Sequence, residues 1–76
     1  MHAHFDPSKL RQIRLERGLT REELAVKARV SVASVALWEQ AKVCPRPAML
    51  VALASALSVS ETELLSEIEP RREPAA

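Results

Sequence analysis

The sequence predicts an all-α domain of five helices. The chain of 76 residues contains one glycine and is rich in alanine, leucine, glutamate and arginine, a composition that favours helix over strand. Five segments begin with residues that commonly start helices and continue with apolar residues at helical spacing. Because 47% of the residues are apolar and only 3% are aromatic, we expect one small, mainly aliphatic core.

The first two predicted helices have local start and stop signals. Asp6 is a favoured N-cap and Pro7 suits the first helical position, so helix 1 starts there. Gly18 can take the left-handed conformation that often follows a helix, so helix 1 ends before it. Thr20 and Glu23 have the spacing of a capping box, in which each side chain bonds the other residue's amide. Helix 2 is therefore predicted to start at Thr20.

Three further helix starts follow along the chain. Ser31 is the N-cap of predicted helix 3, in which Val35 and Trp38 are three residues apart and should be buried together. Helix 4 starts at Pro47, and helix 5 starts at a second capping box at Ser60. The apolar sides of helices 4 and 5 consist of Leu50, Leu53, Ala54 and Leu57, and of Leu64, Leu65 and Ile68.

The domain organisation follows from these signals. Residues 1–5 are expected to be a flexible N-terminus, although Phe5 can fold back onto the core. Residues 6–69 form the domain, and the charged, proline-rich residues 70–76 are expected to be a disordered tail. His2 and His4 are the two histidines, which is too few ligands for a well-formed metal site.

Several classes of function lack the residues they need. The sequence has no glycine-rich phosphate loop, no Ser–His–Asp set and no His/Cys/carboxylate cluster with metal-ligand spacing, so we expect neither an enzyme nor a cofactor. No apolar run reaches the roughly 20 residues of a membrane span, and the N-terminus lacks the features of a secretory signal. Cys44 cannot form an internal disulfide, and its role stays open. We therefore expect a cytoplasmic protein.

Charge is distributed unevenly along the chain. Residues 1–46 contain nine Lys/Arg and five Asp/Glu, a net charge of +4, whereas residues 47–76 contain two and five, a net charge of −3. A basic half beside an acidic half suggests one face suited to a polyanion. Ordinary surface solubility is the alternative explanation.

Helices 2 and 3, joined by the short turn 29–31, have the arrangement of a helix-turn-helix. Over about residues 8–66 the chain resembles the Cro/phage-repressor (XRE-type) family of helix-turn-helix DNA-binding proteins. The matching segments are LRQIR at 10–14, GLTREELA at 18–25, Val30, Ser31, Val35, WE at 38–39, Pro45, LVALASAL at 50–57 and VSETELL at 59–65. The resemblance implies a five-helix bundle of the lambda-repressor-like type in a bacterial or phage protein associated with the nucleoid. It also implies a third helix in the major groove of double-stranded DNA, usually in a homodimer.

The resemblance also assigns roles to individual residues. Arg14 and Glu39 match an ion pair that ties helix 1 to the end of helix 3. Arg21, Lys42 and Arg46 match positions that contact phosphates. The base-reading region of the third helix corresponds to Ser31, Val32, Ala33, Ser34, Ala36 and Leu37.

This third helix departs from the common pattern of the family. Members usually place hydrogen-bonding side chains on the reading face, whereas this sequence has Val32, Ala33, Ala36 and Leu37 there. Val32 and Ala33 could pack on thymine methyl groups, and Ser34 could bond a base or a phosphate. Arg29 and Ala41 replace glycines of the family, which affects the expected local backbone.

The sequence leaves three functions open. A sequence-specific transcriptional regulator, either repressor or activator, is the leading hypothesis. Alternatively, the apolar third helix could bind a protein partner or a second copy. The chain could also be the N-terminal DNA-binding part of a longer regulator. A homodimer contact could use the outer side of helix 4, which consists of Met49, Val51 and Ala52. It could also use the apolar side of helix 5, which consists of Leu64, Leu65 and Ile68.

Overall fold

The computed structural model describes residues 3–67. Within them lie four α-helices, a short 3-10 turn and one two-stranded antiparallel sheet. The helices are α1 (Pro7–Glu16), α2 (Arg21–Ala28), α3 (Val32–Glu39) and α4 (Pro47–Leu57). The 3-10 turn is Glu61–Leu64, and the strands are β1 (His4–Phe5) and β2 (Leu65–Ser66). The helix-turn-helix of the prediction is thus formed by α2 and α3.

The helix starts carry the capping bonds that the sequence indicates. The Asp6 side chain accepts hydrogen bonds from the first-turn amides of α1. Thr20 and Glu23 form both bonds of the capping box, at 3.0 and 2.9 Å. The Ser31 hydroxyl caps α3, whereas α4 starts at Pro47 without a side-chain cap. Local chemistry therefore accounts for the position of each of these four helices.

The prediction of a fifth α-helix, and with it of a five-helix bundle, is wrong. The capping box at Ser60 and Glu63 does form, but it starts a 3-10 turn of four residues. Leu65 then adopts an extended conformation and pairs with Phe5, while the Leu64 carbonyl accepts the Asp6 amide at 2.9 Å. Pairing with the distant N-terminal strand thus replaces the helical hydrogen bonds that would have continued the turn.

Of residues 1–5, which were expected to be flexible, His4 and Phe5 form a strand, and residues 1–2 lie outside the described residues. His4 lies opposite Ser66 in the sheet, and Phe5 is buried in the core, so these two residues belong to the folded domain. The tail at 70–76, together with residues 68–69 and hence Ile68, lies outside the described residues. Between residues 3 and 67, no helix is long and apolar enough to cross a membrane.

The core lies where α2 packs against α3 and α4, with α1 and the 3-10 turn closing its other sides. Small residues on α2, Ala25 and Ala28, are buried there and allow close approach of the neighbouring helices. Val30, in the turn between α2 and α3, is partly buried and packs against the core. The buried apolar residues are Phe5, Leu10, Leu24, Ala25, Ala28, Val35, Trp38, Leu53, Ala54, Leu57 and Leu64.

Candidate nucleic-acid interface

A buried carboxylate at the end of α3 organises the helix-turn-helix. The Glu39 side chain is 0% exposed, and its Oε2 accepts a hydrogen bond from Arg14 Nε at 2.6 Å. Arg14 Nη2 donates to Glu39 Oε1 at 3.1 Å, which makes the pair bidentate, and Arg14 Nη1 donates to the Leu19 carbonyl at 2.7 Å. The expected Arg14–Glu39 contact is therefore present and fixes α1 against the inner side of α3.

Arg21 makes a contact that sequence reasoning missed. Its Nε donates to Glu39 Oε1 at 3.1 Å, so one carboxylate joins two guanidinium groups. The Arg21 side chain is 36% exposed, and its Nη groups make no hydrogen bond with any residue between 3 and 67. The resemblance assigned Arg21 to phosphate binding, and the structure places it where it bridges α2 and α3 while part of it remains accessible.

Two non-glycine residues close the ends of α2 and α3 in the left-handed conformation. Arg29 has φ of 59° and Ala41 has φ of 61°. These are the positions where the family commonly has glycine, and a Cβ atom in this conformation costs roughly 1–2 kcal/mol. Arg29 and Ala41 therefore adopt the left-handed conformation that glycine usually provides at these positions, and each of them carries backbone strain.

The outer face of α3 is apolar and accessible. Val32 is 42% exposed and Leu37 is 39% exposed, and Ala33 between them is also exposed. Ala36 is partly buried, because it lies closer to the side of α3 that carries the buried Val35. We call Val32, Ala33, Ala36 and Leu37 the apolar face of α3.

The two serines beside the apolar face are bonded to each other. The Ser31 Oγ accepts the Ser34 amide at 3.0 Å and donates its proton to Ser34 Oγ at 2.9 Å. The Ser31 hydroxyl is thus occupied by its capping role. Ser34 keeps its own hydroxyl proton for a further acceptor, which leaves little hydrogen-bonding capacity in the first turn of α3.

Exposed cations follow α3 directly. Lys42 and Arg46 lie in the loop between α3 and α4, and both are exposed. Their side chains form no ion pair or hydrogen bond within the described part of the chain. Lys42 is placed by its amide, which bonds the Leu37 carbonyl at 3.0 Å. Two exposed positive charges therefore follow α3 in the chain.

Two other basic residues are used within the fold. Arg17 Nε donates to the Leu57 carbonyl at the end of α4 at 2.9 Å, and Lys9 Nζ donates to the Leu65 carbonyl at 2.7 Å. Both carbonyls belong to ends of elements, where backbone acceptors lack partners. The sequence offered no signal for these contacts, because each joins residues far apart along the chain.

Gln40 is a further residue that the sequence analysis did not single out. It follows α3 as its C-cap and is exposed. It lies four residues after Ala36 and three after Leu37, so helical spacing places it on the same side. This spacing is visible in the sequence and could have identified Gln40 as a side chain on that face. Its amide lies at the C-terminal end of the apolar face.

The N-terminus of α2 is held by a carboxylate. The Thr20 amide donates to Glu23 and lowers the pKa of that carboxyl group below its ordinary value. A bond from the Thr20 hydroxyl and the charge of Lys27 act in the same direction, and desolvation opposes them. The start of α2, next to Arg21, is therefore stabilised by an ionised Glu23.

Comparison with known proteins places this arrangement among repressors and controller proteins. The chain matches the helix-turn-helix family HTH_3 over residues 10–64. The restriction-modification controller protein C.AhdI from Aeromonas hydrophila is 28% identical, with a TM-score of 0.75 over 76% of this chain and 88% of that chain. The DNA-binding domain of the P22 c2 repressor is 25% identical, with a TM-score of 0.76 over 84% of each chain.

A second structure of the P22 c2 repressor, in complex with synthetic operator 9T, is 26% identical and has a TM-score of 0.73 over 76% of this chain and 88% of that chain. No curated protein matches the chain significantly. The family match includes α2, the turn, α3 and the Arg14–Glu39 pair. The chain belongs to the helix-turn-helix family HTH_3, the Cro/phage-repressor (XRE) type of DNA-binding transcriptional regulator.

Proposed function

We propose that the chain binds DNA in a sequence-specific manner with α3 in the major groove. The observation that carries the proposal is the accessible outer face of α3, held from behind by Glu39 and followed by the unpaired cations Lys42 and Arg46. A rigid helix bordered by positive charge fits a groove bordered by phosphates. The P22 c2 repressor in complex with an operator supports this assignment for a related fold.

In this proposal phosphate contacts supply most of the affinity. Lys42 and Arg46 bind phosphates on the side of the loop, and the exposed Nη groups of Arg21 bind a phosphate at the start of α2. The Arg21 contact to Glu39 orients the guanidinium, so less side-chain entropy is lost on binding. The cluster of two arginines and one glutamate retains a formal charge of +1 that faces the DNA backbone.

We further propose that the protein acts as a homodimer. One helix-turn-helix module reads only a half-site and buries too little surface for high affinity. Val51 on the outer side of α4 is exposed, with Met49 and Ala52 partly buried beside it, and Leu65 in the sheet is also partly buried. Either set could form a two-fold contact, and the spacing of half-sites in a selected operator would report the separation of the two copies.

The test is a DNA selection on the purified chain, followed by titration of the selected duplex at several salt concentrations. Replacing Lys42 or Arg46 by alanine should lower the slope of log K against log salt by about 0.9 for each lost phosphate contact. Lys9→Ala is the matched control, because it removes one positive charge whose Nζ is bound to a backbone carbonyl. A selection that enriches no sequence, or a slope that the two loop variants leave unchanged, would contradict the proposal.

The exposed apolar face supports a second candidate, a protein-interaction module on the same scaffold. Leu37→Lys separates the two. The added cation should maintain or raise overall DNA affinity, whereas it should abolish a complex that buries Leu37. A third candidate is that the chain is the N-terminal DNA-binding part of a longer regulator. The mass of the native gene product would show whether the protein is longer than this chain.

A further inference from the structure

The reading face of α3 offers hydrocarbon where base edges offer hydrogen-bonding groups. The side chains of Val32, Ala33, Ala36 and Leu37 contain no polar atom. Beside them, the Ser31 hydroxyl is occupied as a donor and as an acceptor. Ser34 keeps one hydroxyl proton, but the four apolar side chains themselves have no group that could read donors or acceptors in the major groove. Whatever these four side chains recognise there must therefore be apolar.

The apolar group that a major groove displays is the methyl group at C5 of thymine. Val32 and Leu37 each expose around two fifths of their surface, and covering that surface with methyl groups is favourable. Covering it with the polar edge of an unmethylated base pair is unfavourable, because the base would lose water without gaining a hydrogen bond. The face therefore discriminates by the presence of a methyl group at the contacted positions.

Cytosine methylated at C5 carries the same group at the same place on the pyrimidine ring. Thymine and 5-methylcytosine differ at C4, where one has an oxygen acceptor and the other an amino donor. A hydrocarbon side chain does not distinguish an acceptor from a donor. The feature that α3 recognises is thus the methyl group of a pyrimidine and not the identity of the base pair.

We propose that the apolar face of α3 recognises C5-methyl groups of pyrimidines, so that 5-methylcytosine replaces thymine in the target site and operator binding responds to cytosine methylation. This inference rests on the proposed DNA binding and specifies its ligand. Burying one methyl group is worth about 0.8 kcal/mol, which corresponds to an affinity change of roughly fourfold per methyl.

Gln40 is the competing explanation for specificity. Its amide is exposed at the far end of the same face and could pair with adenine. If Gln40 carries the recognition, Gln40→Ala relaxes specificity and thymine methyl groups matter little. In the proposed arrangement Gln40→Ala leaves the preference for methylated pyrimidines unchanged, because the first turns of the recognition helix contact the bases.

The experiment uses the full chain and four forms of the selected duplex. At each T·A pair, thymine is left in place, replaced by uracil, or exchanged for a C·G or a 5-methylC·G pair. Affinity should fall roughly fourfold per contacted methyl with uracil and with C·G, and 5-methylC·G should restore it to within about twofold of thymine. A selected site that binds equally well with uracil, or that binds both cytosine forms equally weakly, overturns the inference and leaves the proposed function standing.

A variant assigns the effect to α3. Val32→Ser removes exposed hydrocarbon and should reduce the ratio of thymine to uracil affinity at one position, while Gln40→Ala serves as the matched control on the same face. Circular dichroism of each variant checks that the helices remain folded. A thymine-to-uracil ratio that Val32→Ser leaves intact would contradict the proposal, and so would a ratio close to one together with a loss of specificity in Gln40→Ala, which would assign recognition to the amide. The absence of any selected site would instead overturn the proposed function and this inference together.

Discussion

The two sides of α3 differ in how strongly the rest of the chain determines them. On the inner side, Trp38 and Val35 are buried and Glu39 is bound by two arginines. On the outer side, Val32 and Leu37 remain accessible, with 42% and 39% of their surface exposed. The difference indicates that the inner residues specify where the helix lies, and that the outer residues are free to be determined by what the helix binds.

The largest expected effect comes from breaking the buried ion pair on the inner side. Glu39→Met leaves the Arg14 guanidinium, which is 8% exposed, without its carboxylate. We expect the free energy of unfolding to fall by about 3–5 kcal/mol, because a buried charge loses its partner. Urea denaturation of the variant measures this loss.

The double variant Arg14→Met/Glu39→Met is the control for that prediction. It removes both charges and fills the space with apolar side chains, so it should recover much of the lost stability. Arg21→Ala removes only the partly exposed cation and should cost no more than about 1 kcal/mol. A double variant as unstable as the single one would show that packing and not charge explains the loss.

A smaller effect, of opposite sign, is expected at the junction after α3. Ala41 has a φ of 61°, which glycine adopts without a steric cost. Ala41→Gly should therefore raise the free energy of unfolding by about 0.5–1 kcal/mol. Gln40→Gly, at a φ of −86°, is the control and should give no gain. Thermal melts measure the stability of both variants. An equal change in stability for the two would contradict the strain argument.

Acid should weaken the start of α2, the other helix of the motif. Hydrogen bonds from Thr20 lower the pKa of Glu23, so its contribution is fully present above the ordinary glutamate pKa of about 4.3 and is lost as pH falls through the lowered value. Glu23→Gln should thus be less stable than the parent near neutral pH, and the difference should vanish in acid. Glu22→Gln, which lacks the capping bonds, should show no such pH dependence when melting temperatures are compared.

The smallest effect on stability is expected on the outer side. Val32→Ser changes an exposed residue and should alter the free energy of unfolding by no more than about 0.5 kcal/mol. Its effect should be seen in DNA discrimination instead. Urea denaturation of Val32→Ser measures the change in stability, and DNA titration of the same sample measures the change in discrimination. A large loss of stability would show that the outer side also determines the fold.

The sequence predicted the helices that local chemistry determines. Asp6, Thr20 and Ser31 mark helix starts because an N-cap acts within its own first turn. Ser60 has the same signal and precedes only a 3-10 turn, because Leu65 pairs with Phe5 at the other end of the chain. A local pattern cannot show that a distant segment, here the N-terminal strand, will pair with the backbone that would otherwise continue the helix.

The candidate site shows the same division. The family resemblance placed Val32, Ala33 and Leu37 on the outer face of the third helix, and all three are exposed. The contact between Arg21 and Glu39 could not be foreseen, because it depends on how α2 crosses α3. Phosphate and base contacts depend on the position of the DNA, so the DNA-binding roles remain proposals.

The sheet that joins the two ends of the domain has a mechanical consequence. His4 lies opposite Ser66, and the chain enters through one strand and leaves through its neighbour. A force that pulls these two residues apart loads the interstrand hydrogen bonds one after another, and not all together. The sheet should then unzip at low force, and resistance should begin only where Phe5 and Leu64 are anchored among the helices.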